Sequence, residues 1–190
     1  MGIPMRHAAL RSRLLASLAT VFIAAMAGSP SAVAAQACPS ASAIPAQAGK
    51  RAIVRATLCT INAERSSHGF GPLRLNSRLS RAAAAHAGDM ERRNYFSHDS
   101  LGGASFVDRI RSTGYLNGAR SWTVGENLAW GSRGRSTPLT ITEMWMNSPG
   151  HRANILNSTF REVGIGVAYG APISSSAPAA TYATDFGARR

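Results

Sequence analysis

Apolar residues in the first substantial run of the chain fall at helical spacing. Val54, Leu58 and Ile61 stand four and three apart, which predicts a helix over residues 50–67 that stops at His68-Gly69. Its apolar stripe is narrow, so burial against other elements must hold it. A connector over 71–76 leads to Ser77, placed to cap a second helix whose inward face carries Leu79, Ala82, Ala83, His86, Ala87 and Met90. A shorter helix is predicted over 104–112, with Gly114 ending it, and residues 122–130 have the alternation of a strand. Thr137 followed by Pro138 reads as a cap and first-turn pair. The helix it opens shows Ile141, Trp145 and Ser148 on one side and is broken by Pro149-Gly150. Two β-rich runs, 163–169 and 181–186, flank a Pro/Ser/Ala loop over 171–180. Helices first and strands later predict an α+β domain in which helices cover a small sheet.

The N-terminal part reads differently. Arg6, Arg11 and Arg13 precede an apolar run from Leu14 to Ala27, and the small residues Ala32-Val33-Ala34 follow, the pattern of an export signal cleaved near residue 35. The run is shorter than the roughly 20 residues that span a bilayer. The expected organisation is a signal peptide over 1–35, a flexible segment over 36–49, and one domain over 50–190, a length that supports a single core. Loss of the three arginines lowers the formal charge from +12 to +9. Lys50 is the only lysine, a bias that a GC-rich genome produces by itself, so the charge is no argument for nucleic acid. Attraction to anionic envelope polymers or lipid headgroups agrees better with export. Cys38 and Cys59 read as a disulfide in an oxidising compartment, stapling the N-terminal segment onto the first helix at a gain of about 3 kcal/mol in the chain-entropy model. Two buried free thiols are the alternative.

Three short motifs carry the candidate chemistry: Phe96-Ser97-His98, Gly125-Glu126-Asn127 and the stretch from Trp145 through Pro149-Gly150-His151-Arg152 to Leu156. In this order, over residues 56–187, they resemble the CAP superfamily of cysteine-rich secretory proteins, insect venom antigens, plant pathogenesis-related proteins and bacterial secreted relatives. The resemblance implies an α-β-α sandwich with a central antiparallel sheet. It also implies a cleft with two His and two Glu, which holds a divalent metal in several members. His98, Glu126 and His151 match three of the four, and the second Glu falls on Ser148. Glu143 does not replace it, because it lies about 200° around the helix from Trp145.

Zinc usually takes three protein ligands and water, or four ligands. His98 and His151 supply two imidazoles, while Glu126 either ligates or orients one of them from behind. The expected cofactor is therefore zinc or another divalent ion, weakly held. The competing reading keeps the three as structural residues of the cleft loops. Glu126 is the candidate acid or base. No nucleophile is indicated, since Ser97 and Ser148 stand in no Gly-x-Ser-x-Gly elbow and no Asp is placed for a triad. Asn127 and Asn154 present amides either to a ligand or to nearby backbone. Arg152 is the candidate anion contact, with Asp99 or Glu162 as alternative partners. His86 reads as a satisfied core histidine, and His68 as a helix-end residue bonded to terminal carbonyls. The tryptophans read as core or cleft wall.

The favoured function is an exported, monomeric binding module for a lipid, a cell-envelope component or a protein, with a metal assisting. The alternatives are a metal-dependent hydrolase and a passive envelope or defence protein with a vestigial site. No nucleic-acid partner is expected.

Overall fold

A computed structural model describes residues 38–173 and 177–190. The predicted signal peptide lies outside the described residues. Helix α1 covers Pro45–Ala48, α2 Lys50–Ser67, α3 Ser77–Arg93, α4 Phe106–Ser112, α5 Pro138–Met146 and α6 Pro149–Ile155. The strands are β1 Arg74–Leu75, β2 Trp122–Ser132, β3 Glu162–Tyr169 and β4 Ala179–Arg189, joined in one sheet of order β1-β3-β4-β2. The β2, β3 and β4 pairings are antiparallel, whereas β1, inside the predicted connector, pairs with β3 in parallel.

Strand alternation divides the core into two halves. Val163, Ile165 and Val167 of β3 join Ile53 and Ile61 of α2, Ile141 and Trp145 of α5, and Ile155 of α6 on one face. On the other, Ala168 of β3, Leu128 of β2 and Ala183 of β4 meet Ala83, Ala87 and Met90 of α3. The result is the α-β-α sandwich that the resemblance implied. Helix α3 comes unusually near the sheet. A Cβ on Gly164 would land in the backbone of Leu79 and Ser80, and one on Gly166 in that of Ala83 and Ala84, so only glycine fits there.

Several boundaries move from their predicted places. The cap of α3 is Asn76 rather than Ser77, with its side chain accepting from the backbone N–H of Arg78 at 2.9 Å and Leu79 at 3.3 Å. Helix α4 starts at Phe106, because Ser105 and Asp108 form a reciprocal capping box. Pro149-Gly150 does not simply end a helix. Helix α5 stops at Met146, and Pro149 occupies the first turn of α6, where a missing N–H costs nothing. Strands β2 and β4 both run beyond their predicted limits and pair with each other along eleven residues.

Cys38 and Cys59 form a disulfide with Cα atoms 5.6 Å apart, which removes the free-thiol alternative. The segment before α2 is also packed: Cys38 and Ala41 are buried, and the Leu139 N–H donates to the Ala41 carbonyl at 2.9 Å. Among the described residues, no helix is long and apolar enough to cross a membrane.

Candidate functional site

Glu126 lies in the middle of β2, its side chain almost wholly buried, and both of its oxygens are engaged. Oε1 faces the Nδ1 of His98 at 2.8 Å, and Oε2 accepts from Nη2 of Arg109 at 2.7 Å. Arg109 comes from α4, and the same Nη2 donates to the His98 carbonyl at 2.8 Å, while Nη1 donates to the Ala104 carbonyl at 3.0 Å. One guanidinium thus holds the carboxylate and the loop that carries the imidazole. A buried carboxylate needs such a partner, because an unpaired charge there is costly.

That loop is fixed from behind as well. His86 is buried on α3, its Nε2 is 2.8 Å from the Ser97 carbonyl, and its ring meets Tyr95 edge-on at 6.1 Å. It is buried in the core as the sequence suggested but not fully satisfied, since its Nδ1 has no hydrogen-bond partner among the described residues, and it seats the residue before His98.

The second imidazole is brought in by α6. Asn127 is fully buried and donates through Nδ2 to the His151 carbonyl at 3.0 Å. Asn154 Nδ2 donates to Asn127 Oδ1 at 2.8 Å and to the Glu126 carbonyl at 3.1 Å. Both amides therefore serve as braces between α6 and β2. Gly125 makes the fit possible, since a Cβ there would collide with Asn154 and Phe160. Ser148 stands just before α6 without capping it and lines, with Phe96, Trp130, Met144, Trp145 and His151, a hollow of about 270 Å³.

The two imidazoles differ in charge preference. The hydrogen bond that His98 donates to Glu126 raises the pKa of His98 above its ordinary value, against an opposing effect of burial. Burial lowers His151, and the nearby His98 lowers it further. His98 therefore favours its charged form more than an ordinary imidazole does, and His151 favours its neutral form.

Two residues of the site escaped the sequence reading. Arg109 had no local signal, its partner being seventeen residues away on another element. Asp185 did have one, as the single charged residue in a β-rich run. It sits opposite Glu126 in the β2–β4 register, is buried, and has no hydrogen-bond partner for either oxygen among the described residues. Burial and the adjacent Glu126 charge push its pKa well above the usual carboxylate range.

Arg152 is placed elsewhere. Its Nη2 lies 3.0 Å from His68 Nε2, and His68 in turn bonds the Glu64 carbonyl through Nδ1 at 2.8 Å. Glu162, a predicted alternative partner, instead accepts from Asn76 and Tyr115. Among the tryptophans, Trp145 is core, with Nε1 donating to the Leu128 carbonyl at 3.0 Å, Trp130 lines the hollow, and Trp122 is exposed.

The model of the cysteine-rich secretory protein (CAP) family matches residues 58–183. The chain belongs to this family. Among curated proteins, this chain is 42% identical over 105 residues to "Uncharacterized protein YkwD" of Bacillus subtilis, covering 55% of this chain and 38% of that one. It is 35% identical over 106 residues to "Uncharacterized membrane protein YlbC" of the same organism, covering 56% of this chain and 29% of that one. The chain thus spans less than half the length of either relative. An extracellular Bacillus anthracis protein containing an SCP domain superposes with a TM-score of 0.58 at 28% identity, over 72% of this chain and 40% of that one. An outer surface protein of Borrelia burgdorferi shares the fold, with a TM-score of 0.53 at 20% identity over 68% of this chain and 87% of that one.

A divalent metal in this cleft was only what the resemblance implied, and the residues present limit what could hold one. Glu126 is committed on both oxygens, which leaves two imidazoles. Among the described residues, no group of three or more His, Cys, Asp or Glu is gathered to hold an ion. The set does not fit a closed structural zinc or a three-ligand catalytic one.

Proposed function

We propose that this CAP domain is an exported binding module whose cleft takes an amphiphilic lipid or envelope ligand. The apolar part would enter the hollow lined by Phe96, Trp130 and Met144, and the polar end would meet Ser148 and His151, with His98 near enough to His151 to act on it electrostatically. The observation that carries this reading is the locked state of Glu126. A carboxylate held by an imidazole on one oxygen and a guanidinium on the other is a support for recognition rather than a free base. Export is supported by the disulfide and by the extracellular and surface proteins that share the fold.

Trp130 supplies the test. Titration with short-chain phospholipids and with soluble envelope fractions should change tryptophan emission saturably, and His151→Ala should weaken the response about tenfold through loss of the polar anchor. A response absent from the folded protein, or one that disappears smoothly with modest salt, would overturn the proposal in favour of plain charge attraction.

Metal assistance enters as part of the same proposal, limited to an ion held weakly by His98 and His151. Calorimetric zinc titration should then show micromolar binding, near one ion per chain, that either His→Ala substitution abolishes. Undiminished binding in both variants would place the ion elsewhere.

A further inference from the structure

A wide concavity lies on the far side of the sheet from β2, at the β3 edge. It is a groove of about 870 Å³ between α2 and α3. Its floor is made by Ile165 and Val167, and its rim carries Lys50, Arg51, Arg81 and Arg92 with no acidic residue. None of the four cations is ion-paired among the described residues.

The groove continues the lane that β1 begins. The Val163 carbonyl accepts from the Asn76 N–H at 2.9 Å, so the backbone of Val163 points away from β4. By strand alternation the N–H and C=O groups of Ile165 and Val167 point the same way. Strand β1 pairs only as far as Leu75 with Val163, after which the chain turns into α3. Beyond that point no strand lies beside β3 among the described residues, although the helices on both faces continue. A backbone already fits this lane at one end.

We propose that the groove receives an acidic, extended peptide segment of a partner protein, which adds a strand to the outer edge of β3. The outer edge of β3, where Ile165 and Val167 are 2% and 6% exposed, supplies up to four main-chain hydrogen bonds once the rim side chains part, and the four cations meet acidic side chains along the rim. The same observations disfavour other occupants. An acyl chain would cover the edge groups of Ile165 and Val167 without bonding them. A second copy of this chain would bring the same four cations against one another. The site is separate from the His98 cleft and does not depend on the reading given for it.

The test is fluorescence anisotropy on the full chain, at about 0.15 M salt so that distant charges are screened. The probe is a labelled, end-blocked eight-residue peptide of alternating glutamate and valine. Saturable binding is expected, with about a tenfold loss when alternate residues are N-methylated and a similar loss in an Arg51→Glu, Arg92→Glu double variant. Both substituted side chains are exposed, and circular dichroism confirms the fold. Equal binding of the N-methylated peptide would overturn strand addition. Vesicles of phosphatidylglycerol that bind where the peptide does not would overturn it in favour of a lipid surface. Absence of saturable peptide binding would overturn it too, leaving the cations as guards against edge pairing.

Discussion

Arg109 decides more than any other single side chain in the cleft. Its replacement by Leu leaves Glu126 buried without a cation, and we expect a loss of about 3–5 kcal/mol in urea unfolding. Glu126→Gln is gentler, because the amide keeps the size of the side chain. It should return the His98 titration toward its ordinary value, as read by NMR. The pH dependence of stability follows from the signs of the shifts. The contribution of His98, raised by its carboxylate, is complete below the ordinary imidazole value of 6.5 and is lost as pH rises through its folded value. His151 and His86 are lowered by burial, so their contribution is present above 6.5 and lost as pH falls through their folded values. Melting temperatures over about pH 5 to 9 should therefore decline on both sides, and His98→Ala should flatten the alkaline decline alone. At this scale the sequence announced His98, Glu126 and His151 through short motifs. Arg109 stayed silent, because what it does depends on a chain reversal between α4 and β2 that no local pattern encodes.

Close contact between α3 and the sheet is the element-level feature most exposed to mutation. Gly164→Ala and Gly166→Ala each place a methyl group inside the helix backbone, and we expect each to cost at least about 1–3 kcal/mol. The melting temperature of each variant checks this, and a neutral result would show that α3 can move away without loss. The long helices and strands were legible because their apolar spacing repeats over several turns or pleats. The two-residue β1 carries too little pattern to be seen, and its pairing is visible only once β3 is beside it. Pro149-Gly150 misled for a related reason: proline marks the end of one helix and the start of the next with the same chemistry.

For the molecule as a whole, the disulfide ties the N-terminal segment to α2, while Ala41 ties it to α5. Reduction, or a Cys38→Ser, Cys59→Ser pair, should lower stability by about 3 kcal/mol with the cleft unaltered. Calorimetry with and without reductant measures it, and an unchanged transition would assign the tethering to packing alone. The sandwich itself followed from the order of elements and the family motifs, whereas the unfilled lane beside β3 required the three-dimensional arrangement.

The partners of Glu126 have one more consequence. His98 belongs to the loop after α3, Arg109 to α4 and Glu126 itself to β2, so the electrostatic setting of one imidazole is assembled from parts distant along the chain. The proton resonances of that ring can then serve as a built-in gauge of tertiary integrity, a single spectroscopic line that shifts when any of these parts loosens.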